Sequence, residues 1–159
     1  SAGYLLPLLN DKDEFVRRET AYALGLTKSR TATTALTDRL LTDKEDGVRA
    51  AAAVALGEIA DEAGVVPLVQ ALTATKKPNV FVLRATGVAL GRIKSRAGTA
   101  ALISTLSNEK LPSDVRREAA RSLGLIGDPT AAPALRAAST DPDPYLAEIS
   151  HSALKRLSH

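Results

Sequence analysis

One phrase recurs along this chain. Residues 16–26 read VRRETAYALGL, residues 48–59 VRAAAAVALGEI and residues 115–127 VRREAARSLGLIG. With the first Val taken as zero, Val16, Val48, Val82, Val115 and Leu146 share that place. Leu24, Leu56, Leu90, Leu123 and Leu154 stand eight residues on, and Gly25, Gly57, Gly91 and Gly124 directly follow the first four. Another Leu comes twelve residues after those four, at Leu36, Leu68, Leu102 and Leu135. Successive zeros lie 32, 34, 33 and 31 residues apart. A period of this length is the mark of stacked supersecondary units, none of which buries its apolar face alone.

The spacing inside each unit is helical. Val48, Ala52, Ala55, Leu56 and Ile59 fall on one face of an amphipathic helix, the B helix of its unit. The segments between phrases, such as GVVPLVQAL (64–72) and GTAALISTL (98–106), repeat Leu at a four-residue step and predict an A helix. Asp61 and Asp128 stand where an A helix needs its N-cap, with Pro129 in the first turn. Asn79, Ser113 and Asp143 take the same place before B helices. The expectation is an all-α chain of about five two-helix units, roughly 1–28, 29–60, 61–94, 95–127 and 128–159, forming a single domain. The aromatic content of 3% suits a thin core between close-packed helices. The four glycines belong to the same logic. They are single, follow no strand and match no phosphate-loop pattern, so they mark close helix–helix approach.

At this point the chain resembles a known family. The pattern D-x-x-V-R-x-x-A-A-x-x-L-G-x-I-G-D followed by A-x-x-L is similar to the HEAT-like repeats first associated with phycobilisome lyase subunits. SDVRREAARSLGLIGDPTAAPAL (113–135) matches it almost position by position. The resemblance implies a right-handed α-solenoid with the B helices lining the concave face. It also implies a partner protein as the usual ligand, with a few enzymatic or nucleic-acid roles. Three departures stand out. Leu83 replaces the Arg of the phrase, Lys155 replaces the Gly, and the first unit begins inside its A helix, where Tyr4 aligns with Leu36. The absence of Met, even at residue 1, points to a chain processed or excised from a longer one.

Positions two, three, six and ten after zero do not serve the apolar stripe and should face outward. Their middle members are small and apolar: Ala50, Ala51, Val54, Ala85 and Val88. Tyr22 and Glu58 accompany them, and Arg18, Arg84, Arg92, Arg117 and Arg121 flank them. An apolar strip rimmed by arginine fits a partner protein's peptide or helix of acidic, amphipathic character. Arg17, Arg49 and Arg116 recur beside acidic turns instead, and predict a ladder of contacts between units.

No chemistry-bearing constellation is present. The chain has no Cys, which excludes disulfides, thiolate nucleophiles and Cys-ligated metal. His151 and His159 are the only histidines and lack metal-ligand spacing. The reading is a non-catalytic binding or scaffold module without a cofactor. Nucleic-acid binding through the concave arginines, with Lys76 and Lys77 nearby, is one alternative. Glu19, Glu58, Glu118 and Glu148 on the same face oppose it, and the net charge is only +3. An accessory subunit of a bilin-lyase-like complex is another, by resemblance alone. No run approaches the ~18 apolar residues of a membrane span. No signal peptide is visible, which tilts localisation toward the cytoplasm. Tyr4, Leu5 and Leu8 suggest weak end-to-end self-association.

Overall fold

The computed structural model describes residues 1–74 and 78–157. Among these residues there are ten α-helices and no strand. They are α1 (Ala2–Leu5), α2 (Glu14–Thr27), α3 (Thr33–Thr42), α4 (Asp46–Ile59), α5 (Val65–Thr73), α6 (Val80–Ile93), α7 (Thr99–Ser107), α8 (Ser113–Ile126), α9 (Ala132–Ala138) and α10 (Pro144–Leu157). The even-numbered helices from α2 on are the B helices, each 14 residues long. The odd-numbered ones are the shorter A helices, and from α3 on each is entered through a 3-10 turn. Asp61 Oδ1 and Asp128 Oδ1 cap those turns by accepting from Ala63 N and Thr130 N. Asn79 and Asp143 cap α6 and α10 as expected. Ser113 does not cap α8. It is the first helical residue, behind Pro112, and Asp114 Oδ1 instead accepts from Val115 N.

The repeated apolar positions form the core. Leu24, Leu36, Leu56, Leu68, Leu90, Leu102, Leu123, Leu135 and Leu146 are all sealed from solvent. Tyr4 departs from its alignment with Leu36. The first A helix is a single turn of α followed by a 3-10 segment, Leu6–Asn10, so Leu9 enters the core and Tyr4 stays outside.

Each B helix packs on the next, and the glycines set the separation. A Cβ at Gly25 would lie 2.8 Å from Ala55 Cα, and one at Gly57 2.8 Å from Ala89 Cα. At Gly91 it would meet Ser122 Cβ at 2.7 Å, and at Gly124 Ala153 Cβ at 2.8 Å. The opposing residue is always the one seven after zero in the next unit, and it is always small. The B row is packed more closely than the A row, so the stack curves with its B helices on the inside.

A polar ladder joins the same units. Arg17 Nε and Nη2 donate to the two oxygens of Asp43 at 2.8 and 3.0 Å, and Nη1 donates to the Asp11 and Lys12 carbonyls. Arg116 Nη2 donates to Asp141 at 2.9 Å, and its Nε to the Leu106 carbonyl. Both arginines and both acids are nearly buried. Among the described residues Arg49 makes no such rung and pairs with Asp46 on its own helix. The place five before zero that holds Asp43 and Asp141 is Lys77 in the third unit, a residue outside the described ones.

A candidate partner-binding face

Along α4 the outward residues are small. Gly47, Ala50 and Val54 fall at helical spacing, and the curvature brings α2 and α6 up on either side. The result is a groove of about 590 Å³. Arg18, Glu19 and Tyr22 form its α2 wall, and Phe81, Arg84, Ala85 and Val88 its α6 wall. Seven of the residues expected from the sequence meet here: Arg18, Tyr22, Ala50, Val54, Arg84, Ala85 and Val88.

The other four lie elsewhere on the row. Glu58 and Arg92 pair with each other between α4 and α6. Arg117 donates to Asp143 from Nε at 2.9 Å and stacks over the Tyr145 ring at 5.1 Å. Arg121 pairs with Glu118 on its own helix at 2.7 Å, beside a second depression lined by Leu125, Ile149 and Arg156. Burial pushes the Asp143 carboxyl up, but hydrogen bonds from Arg117 and Tyr145 N and the Arg117 charge outweigh it and hold its pKa below the ordinary value. Ala51, expected to face outward, is wholly buried. At that position in the next unit Ala85 is only half-buried and lines the groove, so the depth is particular to α4. The counterpart on α2, Glu19, is exposed. Lys76, Lys77 and His159 lie outside the described residues.

The outward arginines are not free cations. Arg18 pairs with Glu19 at 3.1 Å and lies 5.0 Å from the centre of the Phe15 ring. Arg84 Nε lies 3.7 Å from Asp114 Oδ2. With Glu58–Arg92, Arg117–Asp143 and Arg121–Glu118, every arginine of the expected set faces a carboxylate.

Sequence reasoning passed over Gly47 and Phe81. The signal was available one place before zero, where Phe15, Gly47, Phe81, Asp114 and Tyr145 stand. All five aromatic residues of the chain are exposed, from 40% at Tyr22 to 87% at Tyr4. A domain that builds its core from Leu and Ala and leaves every ring outside has its largest contact surfaces turned to solvent.

Known structures agree with this architecture. A chain in the complex of CpcE and CpcF of phycocyanin lyase from Nostoc sp. PCC7120 superposes with a TM-score of 0.83 at 22% identity. The match covers 99% of the present chain and 65% of that one. A designed armadillo repeat protein in complex with the peptide (KR)4 gives 0.73 at 20% identity, covering 96% and 80% of the two chains. Human deoxyhypusine hydroxylase in complex with glycerol gives 0.51 at 20% identity, covering 99% and 84%. At these identities the likeness is one of fold, and the present chain spans about two thirds of the lyase chain it matches. No curated protein matches the sequence. The family model described as HEAT repeats matches residues 2–86 and again 65–155. Together with the stacked two-helix units, that match places the chain in the HEAT-repeat family.

Proposed function

We propose that this repeat scaffold is a non-catalytic interaction module that holds a partner protein or peptide on its concave B-helix face, centred on the groove over α4. The observation that carries this reading is the groove itself: an exposed apolar floor, two rings (Tyr22 and Phe81) on its walls, and one arginine on each side. Interface centres favour aromatic and Arg anchors around a desolvated apolar patch. The superposable armadillo protein was solved with a peptide, which supports a peptide-binding use of this fold. The pairing of Arg18, Arg84, Arg92, Arg117 and Arg121 with carboxylates favours a protein over a nucleic acid, which needs unopposed positive charge. The likeness to a phycocyanin lyase chain is one of fold, and a lyase accessory role has only that behind it.

Val54→Glu and Arg84→Glu, at exposed positions, test the assignment. Each should weaken capture of the partner in affinity pull-downs while the helical circular dichroism is unchanged. Capture that survives both substitutions overturns the concave-face reading. Titration with duplex and single-stranded oligonucleotides should show no binding even at low salt. A weaker end-to-end association through Tyr4, Leu5 and Leu8 belongs to the same proposal, and a strictly monomeric mass by light scattering at high concentration removes it.

A further inference from the structure

We propose that the groove over α4 takes a single α-helix of the partner, lying along α4, with an apolar stripe shouldered on both sides by carboxylates. This rests on the concave-face reading above and names its occupant.

The shape of the groove sets the direction. Along α4 nothing large rises from Gly47 to Val54, about 10 Å at the helical rise. The path ends at the ion pair of Glu58 with Arg92. Across the stack, by contrast, the row two after zero reads Arg18, Ala50, Arg84, Arg117 and Glu148. An extended chain crossing from α2 to α10 would have to climb the Arg84–Asp114 and Arg117–Asp143 pairs. The low ground is one helix wide. The flanking helices stand two packing distances apart, about 16–20 Å between axes. A helix seated about 8–10 Å above the α4 axis would lie about 11–14 Å from each flanking axis, so it nests over α4, and the missing side chain at Gly47 and the short one at Ala50 permit the close approach that helix packing requires. Anchors at i, i+3 and i+7 on the floor call for the same spacing on the occupant.

The charges set the occupant's shoulders. Arg18 stands on one wall and Arg84 on the other. In the free chain each is held loosely: Arg18 by its own neighbour Glu19 and the exposed Phe15 ring, Arg84 by Asp114 at 3.7 Å, with the four charged side chains more than a third exposed. Exposed pairs of this kind contribute little, so both guanidinium groups can turn to a carboxylate that arrives with apolar burial beneath it. Tyr22 and Phe81 then close over the apolar stripe from opposite sides.

The test uses a displayed library of random peptides of about 16 residues, long enough for four helical turns. It is selected on the full chain and counter-selected on Val54→Arg, whose fold is checked by circular dichroism. The expected winners carry apolar residues at i, i+3 or i+4, and i+7, with Asp or Glu on both flanks, and lose binding when Pro is placed mid-stripe. Fluorescence anisotropy with a labelled winner should show Arg18→Glu and Arg84→Glu each weakening binding about fivefold or more, with the two effects multiplying. A library that yields no Val54-dependent binder, winners that tolerate the central Pro, or charge reversals that change affinity less than about twofold overturn the helical occupant. Val54-dependent winners that tolerate Pro retire the helix while leaving the concave-face reading intact. A natural partner indifferent to both Val54→Glu and Arg84→Glu retires both.

Discussion

Gly57 and Gly87 are both buried in B helices, yet their surroundings demand opposite outcomes on substitution. A methyl at Gly57 would sit 2.8 Å from Ala89 Cα, part of a backbone that cannot move without shifting the whole of α6. At Gly87 the nearest atom would be Glu118 Cβ at 3.9 Å, an ordinary contact. Overpacking typically costs about 1–3 kcal/mol, whereas replacing Gly by Ala in an open helical position gains about 0.5–1 kcal/mol. Gly57→Ala should therefore lower the denaturant midpoint and Gly87→Ala should raise it. Equal effects in chemical denaturation would show that the glycines do not set helix separation.

At the scale of the element, what joins one A–B turn to the preceding B helix is the Arg17–Asp43 rung. Burial pushes the Asp43 carboxyl up, but hydrogen bonds from Arg17 and Glu45 N and the charges of Arg17 and Arg39 outweigh it, and its pKa lies below the ordinary value. A carboxylate held below its unfolded pKa stabilises the fold above that pKa, and the contribution disappears as pH falls through the lowered folded value. The loss should begin below about pH 4, the ordinary Asp range, and deepen toward more acid conditions. Asp43→Asn should cost about 2–3 kcal/mol at neutral pH, since Arg17 keeps its two carbonyl acceptors but loses the buried charge partner. It should also flatten the acid limb of stability against pH. Thermal melts from pH 7 to pH 2 compare the two proteins, and parallel curves would remove Asp43 as the titrating group.

For the whole molecule, stability should be a sum over neighbours. Each B helix packs chiefly on the B helices before and after it, so a fault at one interface is felt locally. Gly124→Ala strikes the contact between α8 and Ala153 of α10. Native-state hydrogen exchange should show α10 amides exchanging faster while those of α4 keep their protection. Uniform acceleration throughout would mean that the stack opens only as one unit.

The repeat, the helical class, the core leucines and the packing role of the glycines were legible in the residues alone. They follow from periodicity, and periodicity survives without knowledge of any neighbour. The outward face was legible in part, because helical phase assigns Arg18, Ala50, Val54, Arg84 and Val88 to one side whatever lies next to them. Phase could not say that Ala51 is buried while Ala85, at the same place in the next unit, is only half so, since that depends on how the units pack. Nor could it say that Arg18, Arg84, Arg92, Arg117 and Arg121 already face carboxylates, because most of those acids lie on a neighbouring helix or in the turn between helices. The same limit hid Phe81, which lies at the threshold of its helix and reaches the groove only because α6 stands beside α4. One-dimensional order dictates what each unit is. The groove exists only between units, where the approach allowed by Gly25 and Gly57 brings three B helices around one floor.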